Sequence, residues 1–372
     1  MLNALYSYTN EWDLCVNVQK TKIVVFRNGG TVKDTWQYNG SEVEVVNQFN
    51  YLGMLFNYNG KFLSTQKHCA TQGNKAMFSI CSKMKNLNFN VETELSMFDT
   101  YVKTVLHYGA EIWGFHKGQD VEKVHINFCK RILGVKKSTC NNAVYYELGR
   151  FPLEIDRKRK IFKYWLKIRK SSNCILRACY QEVIENNDPW ILSIKNELNS
   201  LGLTDLYQSY RSDKVILEII CDRMCDVFKQ KVITEISDSP KCRLYRNIVD
   251  YFCIQLYLKK PLHAKYKKAI TCLRLSSHDL KIETGRYNNT IRGNRKCDLC
   301  TLNEIEDEYH FLLVCPVLSN LRKKYIKNYY SRRPSVFKLL QLLSSNNTKE
   351  LSNLGKYLCF AQKLRAQYLQ NQ

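Results

Sequence analysis

No run of residues approaches the roughly 18 consecutive apolar side chains that a membrane-crossing helix needs, and Met1 opens an amphipathic stretch, not a charged segment followed by an apolar one. The expectation is a protein that neither spans a membrane nor is secreted, working inside the cell in the nucleus, the cytoplasm or both. There is no internal repeat and no low-complexity tract, which sets aside repeat arrays and flexible linkers. Acidic residues are few: 34 Asp and Glu face 57 Lys and Arg in 372 residues, a formal charge of +23. Such a surface repels itself unless a polyanion is a regular partner, which points to RNA and/or DNA and away from a small-molecule substrate.

A disulfide framework is missing too, although cysteine is plentiful. The 16 cysteines are scattered, and Cys81, Cys129 and Cys359 sit inside apolar patterns where reduced, buried thiols are expected. Cys174/Cys179 and Cys221/Cys225 fall within expected helices at spacings that do not by themselves make metal ligands. What is present is a chain with 45% hydrophobic residues, enough for two or three cores.

The expected fold class is α+β, predominantly α-helical. LNALYSYTNEWDLCVN has near-helical periodicity; KTKIVVF, with its β-branched run, reads as a strand. TWQYNGSEVEVV alternates apolar and polar residues around Asn39-Gly40 as a tight hairpin should, and QFNYLGMLFNYNG reads as a further strand bounded by Asn59-Gly60. Beyond residue 61, long helical patterns take over in TQGNKAMFSICSKMKNL and VETELSMFDTYVKTVLHYGAEIWG. FPLEIDRKRKIFKYWLKIRK puts Arg157, Lys158, Arg159 and Lys160 beside Phe162, Tyr164 and Trp165. That helix reads either as a surface for a phosphate backbone or as a core helix with a solvated face. Loops are expected at Asn186 to Pro189 and at Ser237 to Pro240, and two helices close the chain.

Cys297, Cys300, His310 and Cys315 form the one cysteine group with ligand spacing, C-x2-C-x9-H-x4-C. A CxxC knuckle offers two corners of a tetrahedron from one turn, and sulfur-rich ligation favours zinc. Four protein ligands leave no open position, so the site is expected to be structural. Asn303 reads as a helix cap, with Glu304, Glu306, Asp307 and Glu308 in a first turn that leads to His310. Residues five apart on an ideal helix diverge by about 140°, so His310 and Cys315 converge only if the helix loosens or ends, and Pro316 supplies the reason. Basic flanks adjoin the group: Arg286, Arg292, Arg295 and Lys296 before it, and Arg322, Lys323, Lys324, Lys327, Arg332 and Arg333 after it, interleaved with Tyr325, Tyr329 and Tyr330. They are the expected nucleic-acid contacts.

RLSSHDLKIETGRY, followed by RKCDLCTLNEIEDEYHFLLVCP, closely resembles the carboxy-terminal segment of non-LTR (LINE-type) retrotransposon reverse transcriptases. LNALYSYTNEWDLCVNVQKTKIVVF is similar to the end of the palm in that family, FNYLGMLF to the strand pair of the primer grip, and FCKRILGVKKSTCNNAVYYELGRFPLEIDRKRKIFKYWLKI to the helical region beyond the thumb. The likeness spans nearly the whole chain in the family's order. It implies that Lys20 attends the incoming nucleotide and its pyrophosphate, where a cation offsets charge developing on the leaving phosphates, and that Tyr51, Leu52 and Gly53 form the turn that steadies the primer. By its residues alone, Lys20 reads equally as an exposed charge at the mouth of a strand.

The same likeness implies two Mg²⁺ ions in a complete parent enzyme, held by an early aspartate and an Asp-Asp pair. No Asp-Asp dipeptide occurs in this sequence, and Asp13 has no second carboxylate placed to share a metal. The expectation is therefore a carboxy-terminal fragment of an RNA-directed DNA polymerase, truncated just after that pair, which binds RNA or DNA and is not an enzyme as the chain stands. Its expected segments are a palm remnant (1–60), a helical thumb and connection (61–170), a helical extension (171–275), a zinc-binding module with basic flanks (276–333) and closing helices (334–372). The alternatives are a non-catalytic nucleic-acid-binding zinc protein retained from such an element, or a decayed gene fragment.

Overall fold

The computed structural model describes residues 1–84, 87, 89–249 and 251–370, and is mostly helical with two small antiparallel sheets. None of its helices is long and apolar enough to cross a membrane among the described residues. All sixteen cysteines are free thiols; Cys81 and Cys129 are buried as expected, and Cys359 is half-buried.

The amino-terminal helix Leu2–Glu11 is tied down by Thr9, whose hydroxyl shares a 2.8 Å hydrogen bond with that of Tyr38, and by the edge of Tyr6 against the Tyr38 ring. Strands β1 (Trp36–Tyr38) and β2 (Ser41–Val43) form the expected hairpin. Asn39 and Gly40 both take positive φ, 47° and 73°, the backbone that a two-residue turn needs to match strand twist.

Three local expectations change. QFNYLGMLFNYNG is a hairpin, not one strand: β3 (Gln48–Tyr51) pairs with β4 (Met54–Asn57) around Leu52 and Gly53, whose φ values are 49° and 82°. The two hairpins are separate sheets. KTKIVVF contributes a single parallel bridge, Ile23 to Val45. Its β-branched residues favour extension, but a strand needs a neighbour, and residues 44–46 supply one step before the chain turns into β3.

The long helical pattern from residue 91 also breaks, into Val91–Tyr101, Lys103–Leu106 and Ala110–Trp113. Gly109 is the reason for the second break. It sits at φ 64°, and a Cβ there would lie 2.4 Å from the Met54 sulfur, so the turn and the close approach both require glycine. The helix Leu63–Met84 covers most of TQGNKAMFSICSKMKNL, while residues 85 and 86 of that pattern lie outside the described residues.

The chain divides into two compact units, interleaved in sequence. The first comprises Met1–Ile80, Asp99–Val124 and Asp156–Ile194. Its core is built from Val102, Leu106, Ala110 and Trp113 with Ile161, Phe162 and Trp165 of the helix Leu153–Arg169. His107 is buried with them, and its pKa is held down to about 3, chiefly by burial, against the pull of Asp156 and with Arg157, Lys160 and Lys103 adding to it. The unfolded imidazole titrates near pH 6.5. Above that pH both states are neutral and the group has no effect; below it only the unfolded state gains the proton. Stability is therefore expected to fall by about 1.4 kcal/mol per pH unit below 6.5 on account of this group. Denaturant unfolding at pH 6.5 and 4.5 should show a steeper loss in the parent than in His107→Gln, and equal slopes would refute the assignment.

The second unit comprises Cys81–Phe98, His125–Ile155 and Lys195–Gln372. Phe98 stacks on Phe128 with centroids 4.5 Å apart, and Phe311, Leu312, Tyr357 and Leu358 form another part of its core. At its centre Glu147 is fully buried against Arg274, Tyr245 and Tyr257.

Candidate metal centre

Residues 295–306 fold as a short hairpin. Lys296 bridges Ile305, the Cys297 amide donates to the Glu304 carbonyl at 2.9 Å, and the Glu306 amide to that of Arg295 at 2.9 Å. Cys297 stands at the base of the hairpin and Cys300 in its turn. The chain then enters a short helix at Glu308, whose stretch His310–Val314 has π geometry.

The Cys315 amide donates to the His310 carbonyl at 2.8 Å, an i to i+5 bond that stacks residues five apart one turn above another. Cys315 itself leaves helical geometry at φ −49°, ψ 120°, ahead of Pro316. The helix loosens between the two ligands as their spacing demands.

One ligand atom from each of Cys297, Cys300, His310 and Cys315 lies within 4.8 Å of the others, and Cys300 Sγ is 3.4 Å from His310 Nε2. Zinc bonds of about 2.3 Å to sulfur and 2.0–2.1 Å to nitrogen give a tetrahedron with edges of roughly 3.6–3.8 Å, so the Cys300–His310 pair already has nearly that spacing, and separations of up to 4.8 Å would close by about 1 Å around such an ion. Each sulfur also accepts a hydrogen bond from the backbone N–H two residues on: Leu299 for Cys297, Leu302 for Cys300 and Val317 for Cys315. Amides aimed at sulfur favour thiolates.

Crowded together as thiols, the three do not ionise alike. Cys297 is pushed up to about 12, first because it donates to the Cys315 sulfur and then by burial. Cys315 is lowered by that same hydrogen bond, and Cys300 is raised by burial. A divalent cation reverses this crowding, because each sulfur then binds as an anion.

The surroundings correct the reading of the acidic stretch. Asn303 is not a helix cap; it holds a left-handed turn at φ 55° in the hairpin. Ile305 is occupied in the bridge to Lys296, so the helix starts later and Asp307 caps it, accepting from the His310 amide at 2.9 Å. Glu306 and Glu308 are buried. Glu306 receives Arg365 through two bonds of 2.6 and 2.8 Å, and Glu308 meets His278 Nε2 at 3.0 Å. Tyr357 donates to the Phe311 carbonyl at 2.8 Å, so the closing helix Thr348–Gln370 braces the metal turn through Tyr357 and Arg365.

Three of the expected nucleic-acid contacts are structural. Arg157 is 1% exposed, lying against Trp113 and donating to the Lys117 carbonyl. It falls on the four-residue row of Leu153, Ile161 and Trp165, the buried face of its helix. Arg322 is buried on the row of Leu318 and Ile326, where it caps the carbonyls of Leu312 and Cys315 at 3.0 and 2.8 Å. Arg295 donates to the carbonyls of Thr290 and Ile282. Arg157 and Arg322 are buried away from any phosphate, whereas Arg295 is half-buried with its guanidinium held by carbonyls.

Arg159, Arg292, Lys323 and Lys324 are exposed, and Lys158 and Lys296 half-buried. Lys160 donates to the His107 carbonyl at 3.1 Å. Lys20 is exposed in the turn 17–20, its amide bonded to Asn17, and Tyr51, Leu52 and Gly53 form the exposed tip of the β3–β4 hairpin, where Tyr108 donates to the Leu52 carbonyl. Sequence patterns did not single out Lys241 and Arg246, in short 3₁₀ turns after the helix Asp213–Asp238, or Arg243 between those turns. Their only signal was proximity to Pro240. No family model, curated protein or solved structure matches this chain.

Proposed function

We propose that this chain is the carboxy-terminal part of a non-LTR retrotransposon reverse transcriptase, which holds RNA or DNA through its second unit beside a structural zinc centre and does not itself transfer nucleotides. In this reading Cys297, Cys300, His310 and Cys315 hold the zinc, Lys20 attends nucleotide phosphates and Tyr51 to Gly53 the primer strand. No Asp-Asp pair is present for two-metal chemistry.

One observation carries the binding role. A cavity of about 730 Å³ in the second unit is lined by Lys241, Arg243, Arg246, Arg286, Arg292 and Arg295, next to Asp307 and Tyr309 of the metal-bearing helix. Among the described residues only one of these cations forms an ion pair, Arg286 with Glu283 at 3.0 Å. Lys241 and Arg246 donate to the carbonyls of Ser138 and Ser237 at 2.6 and 2.7 Å, and Arg295 to carbonyls as described. Carbonyls fix a cation without cancelling its charge. Asp238, Asp307 and Glu308 also line the space, but Glu308 is engaged by His278, and Asp307 caps the helix.

The test is fluorescence anisotropy of the purified chain with 20-nucleotide RNA and DNA. For four phosphate contacts to a single strand, affinity should fall roughly 50-fold between 50 and 200 mM salt, and Arg243→Glu with Arg292→Glu should flatten the log–log slope by about 1.4. Binding that ignores salt, or that the folded double variant leaves unchanged, would overturn the role. Parentage is tested separately: the reading frame upstream of Met1 should encode a palm with adjacent aspartates, and an unrelated domain there would remove it.

A further inference from the structure

The first unit contains a cavity of about 610 Å³ whose chemistry runs against that of the chain. In a protein of net charge +23, its lining holds two carboxylates, Glu111 and Asp188, and no Lys or Arg among the described residues. Its walls are aromatic. Tyr164 and Trp190 stand at 72° with centroids 6.1 Å apart, and Phe62 and His116 are tilted at 49° with centroids 6.1 Å apart.

These walls are fixed before any ligand arrives. The Trp190 indole N–H donates to the Glu111 carbonyl at 3.2 Å, and its backbone N–H to the Asp188 carboxylate at 2.8 Å. Lys160 reaches the Glu111 carboxylate only at 3.8 Å.

The roof is the helix Cys174–Glu185, which buries none of its twelve residues. Leu176, Tyr180 and Val183 make an apolar stripe at i, i+4 and i+7, and all three line the cavity. Trp165 donates to the Tyr180 hydroxyl at 3.0 Å and anchors that helix. An apolar helix face normally packs on other side chains; here it faces a hollow.

We propose that this cavity binds an alkylated ammonium group, independently of the nucleic-acid role. The electron-rich faces of perpendicular rings attract a cation, the carboxylates complement its charge, and its methyl groups suit walls that would exclude a hydrated ion. A phosphate-bearing ligand is disfavoured by the two carboxylates and by a lining without Lys or Arg among the described residues.

The experiment is isothermal titration of the full chain with choline and with 3,3-dimethyl-1-butanol, its uncharged isostere. Choline should bind with a dissociation constant in the millimolar range or tighter, at least about tenfold better than the alcohol. Trp190→Ala should abolish the preference, and Glu111→Gln should weaken choline several-fold. Tyr164→Leu serves if Trp190→Ala does not fold. Equal binding of the two compounds, no heat with choline up to about 50 mM, or folded variants that retain the preference would each overturn the proposal.

Discussion

Replacing Cys300 with serine is expected to release the metal and unfold the segment around residues 276–333 in one step. The hairpin 295–306 has a single bridge and few ladder bonds of its own, and its two cysteines meet His310 and Cys315 in the cluster they share. Structural zinc contributes on the order of 10 kcal/mol or more to folding in small modules, which exceeds what so short a hairpin can supply by itself. Metal analysis of the purified chain should fall from about one zinc per molecule to near none, and the melting midpoint should drop by more than about 10 °C. Chelation of the parent should give the same melt. Cys179→Ser, on the exposed helix Cys174–Glu185, should change neither. Unaltered zinc content and melting in Cys300→Ser would refute the site.

Glu147→Ala should also destabilise the second unit, by a different route. One carboxylate oxygen accepts from Tyr257 at 2.7 Å and from Arg274 Nε at 2.8 Å, the other from Tyr245 at 2.8 Å and Arg274 at 3.3 Å. Arg274 also donates to the Leu343 carbonyl and to Gln255. Every charge in this network is buried. Removing the carboxylate strands a guanidinium without its counter-charge, a loss of about 3–5 kcal/mol. Converting both Glu147 and Arg274 to methionine should recover most of that, because no charge is then left buried. Urea unfolding of the single and double variants decides it: a single variant that loses less than about 1 kcal/mol would show that the network does not support the second unit.

How far the sequence could be read depended on the range of the interaction. Asn39-Gly40 was legible because both residues tolerate positive φ, whereas Leu52 does not advertise the turn it makes, and only resemblance suggested a strand pair there. The metal group was legible from cysteine spacing. Even the loosened helix followed from the five-position step from His310 to Cys315, although the i to i+5 bond that achieves it had to be seen. NEIEDE misled because an acidic run looks like a first helical turn, while Ile305 answers to Lys296 across the hairpin. Arg157 and Arg322 looked like phosphate contacts among so many cations. Counting fours from Leu153 and from Leu318 would have placed both on buried faces.

The sequence by itself determined the helical character, the Asn39-Gly40 hairpin, the spacing of the four residues that could hold a metal, and an excess of positive charge. Each of these rests on local spacing or on totals. The tertiary structure alone decided which arginines are structural. It also set the partners of Glu147 and Arg274, brought residues 241–246 beside 286–295, and closed aromatic walls around Glu111 and Asp188. Those outcomes depend on contacts between residues tens to more than a hundred positions apart, whose burial no local pattern records.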